Sequence, residues 1–364
     1  MSAPRTLVVR LDSDGDVLLA GPAVRAVAAG SARTSLLVSP QGEQAARLLP
    51  GVDDVLVWSC PWSGFAPPPV DATSVADVVE RVRTLRVDVA VVLTSFHQSA
   101  LPTALLLRLA GVPWVVGHST DYPGSLLDVR HPPGGPHEVE RGLSLAAAAG
   151  LPLPADDDRR LRVRGVPERH GDVGVPDGYV VLHPCASVPA RSPSPGVAGR
   201  VAAALVAAGR DVVVTGGPAD TATGAVVTAA ARAAGHAPAV DGSGGRCVDL
   251  TGRTRFDELA VVLRDAACVV APNTGPAHLA AAVGTPVVSL FAPVVDPAAW
   301  HPWGVPVRLL GDVTAPCAAS RARTCPVPGH PCLDGLDPAD VVRAVDALAP
   351  LGDRDVLLED VVPA

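Results

Sequence analysis

The sequence predicts an α/β protein built from two Rossmann-like domains that face a cleft, and three observations predict it. Short Val- and Leu-rich runs alternate with Ala-rich helical stretches over the first 150 residues; the alternation stops in a stretch crowded with Pro, Asp and Arg; it then begins again. Alternation of this kind argues for parallel sheets covered by helices, with ligands bound beyond the carboxyl ends of the strands. At 364 residues the chain is also long for one core, and two domains of roughly 100–200 residues each are the expectation.

The first domain is expected over 1–165. Its apolar runs give strands at 6–11, 35–39, 55–58, 88–94 and 114–117, and the periodic stretches between them give helices at 17–29, 41–49, 75–85 and 101–110. Segments 60–70 and 121–136 are rich in Pro and Gly and read as surface loops; a helix over 137–149 then stops at Gly150. The linker is placed at 151–177. A second domain over 175–340 follows, with strands at 179–182, 211–215 and 248–250 and helices at 197–208, 222–234 and 256–266. Thr254 and Asp257 read as a variant capping box for the last of these helices. The closing segment, 341–364, carries a helix around 338–348 and is expected to cross back to the first domain.

Composition narrows the function. Apolar residues make up 48% and charged residues 18%, which excludes a largely disordered chain. All 29 basic side chains are arginines, so no lysine can form a Schiff base and any phosphate clamp must use the planar guanidinium fork. A net charge of −8 with 3% aromatics lacks the basic face and stacking rings of a nucleic-acid binder. The amino terminus shows no secretory pattern and no run approaches 18 apolar residues, so the expected location is cytoplasmic. Seven cysteines, an odd number, argue against a disulfide framework. Cys317, Cys325 and Cys332 surround His330, a set with the right atoms for zinc but without a paired Cys-x-x-Cys; the reading is a loop held by buried thiols, with no metal.

Residues 269–293 carry the most informative pattern: an apolar strand, a Thr-Gly-Pro turn, an Ala-rich helix and another strand. A helix start in that setting presents free amides to an anion such as phosphate. Thr274 adds a hydroxyl, Gly275 permits close approach to the backbone, and Pro276 suits the first helical position. The plain alternative is an ordinary strand-to-helix connection. His278, one turn on, serves either as a core histidine or as a ligand contact.

Three more segments hold candidates. Asp12, Asp14 and Asp16 lie in one short loop after the first strand. They read either as helix caps and an exposed turn with Gly15 at positive φ, or as a cleft in which Asp16 is a general base. Arg191 lies in the segment that opens at His183, just after the strand 179–182, and can stabilise a departing diphosphate. Asp220, in Gly216-Gly217-Pro218-Ala219-Asp220, either caps a helix or accepts hydrogen bonds from a ribose.

The run Asn273-Thr274-Gly275-Pro276-Ala277-His278-Leu279-Ala280-Ala281-Ala282, followed by Gly284-Thr285-Pro286, resembles the signature of the heptosyltransferase family of sugar-nucleotide glycosyltransferases. Weaker matches fall at about 5–29, 137–152, 179–191 and 211–220. The resemblance implies the GT-B fold, a donor diphosphate held by Asn273, Thr274, Gly275, Pro276 and His278, Arg191 on the phosphates, Asp220 on the ribose, and Asp16, set up by the turn at Gly15, as catalytic base. The departures are Asn273 where the family has Asp, Cys185 where it has Gly with the neighbouring tryptophan missing, and Asp220 where it has Glu.

The implied activity is inverting, metal-independent transfer of a heptose-like or other hexose sugar from a nucleoside diphosphate donor, an ADP-sugar being favoured, to a hydroxyl of a glycan or lipid-linked acceptor. No cofactor is implied. A lipid-linked acceptor would bring a monomeric, peripheral enzyme to the inner face of the cell membrane. A sugar-nucleotide epimerase and a sugar-nucleotide-binding protein with little catalysis stand as alternatives. A nicotinamide dehydrogenase is disfavoured, because no Gly-x-Gly-x-x-Gly follows a strand.

Overall fold

The computed structural model describes residues 3–64, 66–95, 98–132, 134–168, 171, 173–235 and 245–351. In the amino-terminal half, β1 (Arg5–Arg10), β2 (Arg33–Val38), β3 (Asp54–Val57), β4 (Val89–Val92), β5 (Trp114–His118) and β6 (Val129–His131) form one sheet in the order β3-β2-β1-β4-β5-β6. The carboxyl-terminal half repeats the plan. There β7 (Val180–Leu182), β8 (Val212–Val214), β9 (Cys247–Asp249), β10 (Cys268–Pro272), β11 (Val287–Leu290) and β12 (Val307–Leu310) run in the order β12-β11-β10-β7-β8-β9. Every described pairing is parallel, and the central strands are buried on both faces, which explains their unbroken Val and Leu runs.

Strand order reverses between β1 and β4 in the first sheet and between β10 and β7 in the second. Open parallel sheets bind ligands beyond the carboxyl ends of the strands at such points, because the helices on either side diverge there and leave a crevice. The segments after β1, β4, β7 and β10 are therefore the ones to search.

Several elements differ from expectation in instructive ways. The helix expected over 17–29 is two, Asp14–Leu19 and Gly21–Ala29, meeting at Ala20. The loop expected over 121–136 contains β6, too short at three residues to show a period. The strand β12 went unread because it is four residues long, interrupted by Arg308 and nowhere fully buried. The cap of the helix Phe256–Arg264 lies one residue beyond Thr254: the Glu258 carboxylate accepts the Arg255 amide at 2.8 Å.

The stretch 151–177 has no helix or strand among its described residues, yet it is fastened to both halves. Leu151, Leu161 and Val175 are buried in an apolar cluster that includes side chains of both domains. The Arg164 amide donates to the Leu48 carbonyl, and the Arg264 guanidinium donates to the carbonyls of Pro167 and Glu168. The helix Pro338–Leu348 packs on the helix Pro195–Ala207 and on β12, with Val341 and Val345 in the carboxyl-terminal core rather than across the first domain. The rest of that expected crossing, 352–364, lies outside the described residues. Among the described residues no helix is long and apolar enough to cross a membrane.

Candidate active site

The two switch points meet. The short helix Asp14–Leu19, which follows β1, packs against the helix Gly275–Ala282, which follows β10. Gly15 and Gly275 form the contact: a Cβ on Gly15 would lie 3.1 Å from His278 Cδ2 and 3.3 Å from Gly275 Cα. Gly15 lacks the positive φ that the plain exposed-turn alternative gave it; its glycine is required by close approach, not by backbone conformation.

Asp16 stands beside this contact with 21% of its side chain accessible. Its Oδ1 accepts from Arg10 Nη2 and its Oδ2 from Ser13 Oγ, both at 3.0 Å. Burial pushes the Asp16 carboxyl up, but the Arg10 guanidinium foremost, then the Ser13 hydroxyl and the fields of His278 and Arg191, hold it below the usual carboxylate range. Asp16 is thus an ionised carboxylate at neutral pH, aimed at the junction of the domains.

The neighbouring aspartates are not caps of their own helix. Asp14 Oδ1 accepts from the Ala45 amide at 2.9 Å and so caps the helix Glu43–Leu48 instead. Asp12 pairs with Arg10 Nε at 3.0 Å and accepts from Gln98 Nε2 at 2.6 Å. Ser13 is the N-cap residue of Asp14–Leu19 but makes no capping hydrogen bond.

From the second domain, Arg191 ends the short turn Pro189–Arg191 after β7. The turn is pinned from outside, since the Ala190 amide donates to the Arg323 carbonyl at 3.0 Å and His330 Nε2 lies 3.1 Å from the Ala190 carbonyl. Arg191 Nε is buried without a partner. Burial lowers the Arg191 pKa, Asp16 opposes that, and Arg321 adds to it, so Arg321 is a second guanidinium near the site. Sequence reading missed Arg321 because it lies far along the chain in an irregular segment.

Asn273 and His278 flank the start of the Ala-rich helix, 4% and 3% exposed. Asn273 Nδ2 and His278 Nδ1 are both buried without a hydrogen-bond partner. Burial lowers the His278 pKa to about 4 against the opposing field of Asp16, so the ring is neutral at physiological pH. Thr274 is the N-cap residue with its hydroxyl uncommitted to the cap, Gly275 is the first helical residue, and Pro276 is the second rather than the first. The first turn of a helix leaves amides unbonded, so proline at its second position costs nothing either. Thr274, Gly275 and Pro276 stay half-buried, which leaves the helix start reachable.

Asp220 stands apart from this group. It follows β8, one strand away from the switch point, and its Oδ2 accepts the Gly217 amide at 2.8 Å, the capping role. It also engages the Cys185 thiol, which burial and this contact push up to about 11. The seven cysteines are free thiols, Cys317 and Cys332 lie in the carboxyl-terminal core, and His330 is turned to Ala190. Among the described residues no group of three His, Cys, Asp or Glu side chains is placed to hold a metal ion.

Paired six-stranded parallel sheets, with a carboxylate at one switch point facing unpartnered polar groups at the other, define the two-lobed GT-B architecture. Residues 76–330 match the family model of glycosyltransferase family 9 (heptosyltransferase), and the chain belongs to that family. It is 33% identical over 177 residues to lipopolysaccharide heptosyltransferase 3 of Escherichia coli strain K12, a match covering 46% of this chain and 47% of the relative. The chain thus spans about half the length of that curated relative. Among solved structures it resembles the Escherichia coli ADP-heptose lps heptosyltransferase II, at 21% identity and a TM-score of 0.69 over 94% of this chain and 98% of the other. It also resembles a family 9 glycosyl transferase from Veillonella parvula DSM 2008, at 16% identity and a TM-score of 0.72 over 96% and 98%. At these identities both structures report the fold.

Proposed function

We propose that this chain is an inverting glycosyltransferase that moves a heptose-like sugar from an ADP-linked donor to a hydroxyl of a glycan or lipid-linked acceptor. The observation that carries the reading is the opposition of Asp16 to the unpartnered Arg191 Nε, Asn273 Nδ2 and His278 Nδ1 across the domain junction. Buried polar atoms without partners are costly, and groups of them at a ligand crevice are accounted for by a ligand that satisfies them. The ADP and heptose parts of the reading rest on the names of the similar heptosyltransferases.

In this scheme Asp16 takes the proton of the acceptor hydroxyl as its oxygen attacks the anomeric carbon from the face opposite the diphosphate. The bond from that carbon to the phosphate oxygen breaks, and the nucleoside diphosphate leaves with the electron pair. Charge therefore grows on the phosphate as the bond lengthens, where Arg191 and the amides at the helix start stabilise the transition state more than the ground state. The neutral imidazole of His278 has a free Nδ1 to offer a sugar or phosphate oxygen in the appropriate tautomer. Asn273, in the position of the family aspartate, offers both an amide donor and an acceptor to the sugar without charge.

The test is to incubate the purified chain with ADP-heptose and follow ADP release, sugar transfer and ADP affinity. Asp16→Asn is expected to bind ADP like the parent and to lose about 10²–10⁴-fold in turnover, the usual worth of a general base. Arg191→Ala is expected to weaken ADP binding. Full turnover in the first variant removes Asp16 from the mechanism, and unchanged affinity in the second removes Arg191 from the diphosphate. An isomerised sugar among the products, or ADP-sugar binding without turnover, would replace transfer by epimerisation or simple binding.

A further inference from the structure

Arg10, the last residue of β1, faces three carboxylates. Its Nε is 3.0 Å from Asp12 Oδ2, its Nη2 donates to Asp16 Oδ1 at 3.0 Å and to Ser95 Oγ at 3.0 Å, and Nη1 and Nη2 each reach Glu138 Oε2 at 3.2 Å. The other oxygen of Glu138 accepts from Arg141 Nη1 at 3.1 Å. Arg10 and Glu138 are sealed in, with 5% and 3% of their side chains exposed, whereas Asp16 is the most accessible of the three acids. Two guanidiniums thus serve three carboxylates, and only one of those carboxylates reaches the junction.

We propose that Arg10 and Glu138 form a positioning pair for the transfer reaction: Glu138 fixes the Arg10 guanidinium, and Arg10 in turn fixes Asp16 as an oriented, ionised base. The inference rests on the reading of Asp16 as the base. Both are more deeply buried than Asp16, and neither is given a contact with the reacting atoms. A buried carboxylate without a cation would take up a proton and lose its function as base, and a guanidinium held at one edge only would swing with it. Glu138 comes from the start of the helix Glu138–Ala148, next to His137 at the seam of the domains, so the pair ties the orientation of the base to a second element of the first domain.

The groups acting on Asp16 come from every element packed around it. Arg10, Asp12 and Ser13 face it from its own segment, and His278 and Arg191 from the second domain, with His301 behind His278. Glu138 acts on Arg10 and Asp12 from its helix. Asp14 is turned to Ala45. Of these, Arg10 alone among the cations hydrogen-bonds the carboxylate, so its removal dominates the balance.

The experiment compares the parent with Arg10→Gln, Arg10→Lys, Glu138→Gln, the double variant Arg10→Gln/Glu138→Gln, and Asp16→Asn. Two readouts are taken on the full chain: the pH profile of ADP release from ADP-heptose, and the titration of the Asp16 carboxyl by ¹³C-aspartate NMR without ligand, assigned by its loss in Asp16→Asn. Arg10→Gln is expected to raise the Asp16 midpoint and the acid limb of the profile together by about one pH unit or more, the size of effect an adjacent cation has on a carboxylate. Arg10→Lys restores most of the shift. Glu138→Gln leaves Arg10 less anchored and lowers kcat about tenfold with KM for the donor unchanged, the signature of lost orientation in the transition state.

The double variant removes a cation and an anion together, so it keeps the fold even where Arg10→Gln does not, and its Asp16 midpoint falls between those of the parent and the single variant. An Asp16 midpoint equal to that of the parent in Arg10→Gln, or in the double variant when the single one fails to fold, overturns the pairing. So does parent-like kcat in Glu138→Gln. Full activity in Asp16→Asn with a shifted midpoint in Arg10→Gln sinks the base reading instead, and leaves the electrostatic pair without a reaction to serve.

Discussion

Gly15 has no side chain because the second domain occupies the place where one would go. A methyl group there would sit 3.1 Å from His278 Cδ2, inside normal packing distance, and His278 is too buried to retreat freely. Gly15→Ala is therefore expected to push the carboxylate loop and the helix Gly275–Ala282 apart by a few tenths of an ångström. Overpacking of this kind costs about 1–3 kcal/mol of stability. On the proposed reading the displacement lies between the base and the centre it acts on, where geometry is least forgiving, so kcat should fall about tenfold while the far-ultraviolet spectrum is unchanged. Parent-like turnover in this variant would show that the two helices do not hold this spacing during the reaction. The sequence marks Gly15 as the turn before Asp16 without showing why glycine is needed, since a glycine required by a distant neighbour looks the same in one dimension as a glycine required by φ. Arg10 was passed over for a related cause: its partners Ser95 and Glu138 are brought together only by the sheet order.

At the level of elements, Asp14 belongs functionally to a helix on which it does not reside. By accepting the Ala45 amide it caps the start of the helix Glu43–Leu48, at a price in ionisation: burial raises its pKa to about 6, although the Ala45 bond opposes this. A carboxyl whose folded pKa lies above its unfolded value of 3.8 stabilises the fold below that value, and the contribution is lost as pH rises through about 6. Asp14→Asn keeps an acceptor for Ala45 without the charge. Its melting temperature relative to the parent should therefore climb between pH 4 and pH 7, whereas Asp14→Ala, lacking the cap, should lose about 1 kcal/mol against Asp14→Asn throughout. A flat difference between Asp14→Asn and the parent across that range would contradict the burial of the charge. The long helices and central strands were legible because their apolar periods run for several turns or fill a whole strand; the helix Pro338–Leu348, for example, starts with Asp337 capping and Pro338 in its first turn. The short pieces β6 and Pro331–Asp334 were not legible, since three or four residues carry no period and owe their shape to neighbours.

Over the whole molecule, acid should be the weak side of its stability. His137, His183 and His278 are buried, and burial lowers their pKa values to about 3, about 4 and about 4. A histidine depressed below its unfolded value of 6.5 stabilises the fold above that pH and loses the contribution as pH falls toward the folded value. Buried His118, also lowered by burial, adds to these three; Asp12 and Asp14, raised to about 6, work in the opposite sense but are outnumbered. His137 sits at the seam of the two domains. It accepts the Val139 amide through Nδ1, lies 3.0 Å from the His301 carbonyl through Nε2, and packs 4.5 Å from the Trp303 ring. Lowering pH from 7 to 5 is expected to lower the melting temperature, and His137→Gln should flatten that slope; a slope of opposite sign would show that the histidines are not buried neutral. The two-domain plan was readable from the alternation of strand and helix, but its closure across His137 and His301 was not, because residues 164 apart announce no contact.

The stretch between the domains also has a mechanical consequence. Trp303 donates to the Arg159 carbonyl, Arg25 holds Asp157 at 2.7 Å, and Arg164 and the carbonyls near Pro167 are claimed from opposite sides. A segment moored at so many points transmits force instead of absorbing it. Any change in the angle between the halves has to bend around these moorings, so its direction is set by where the strap is tied and not by how long it is.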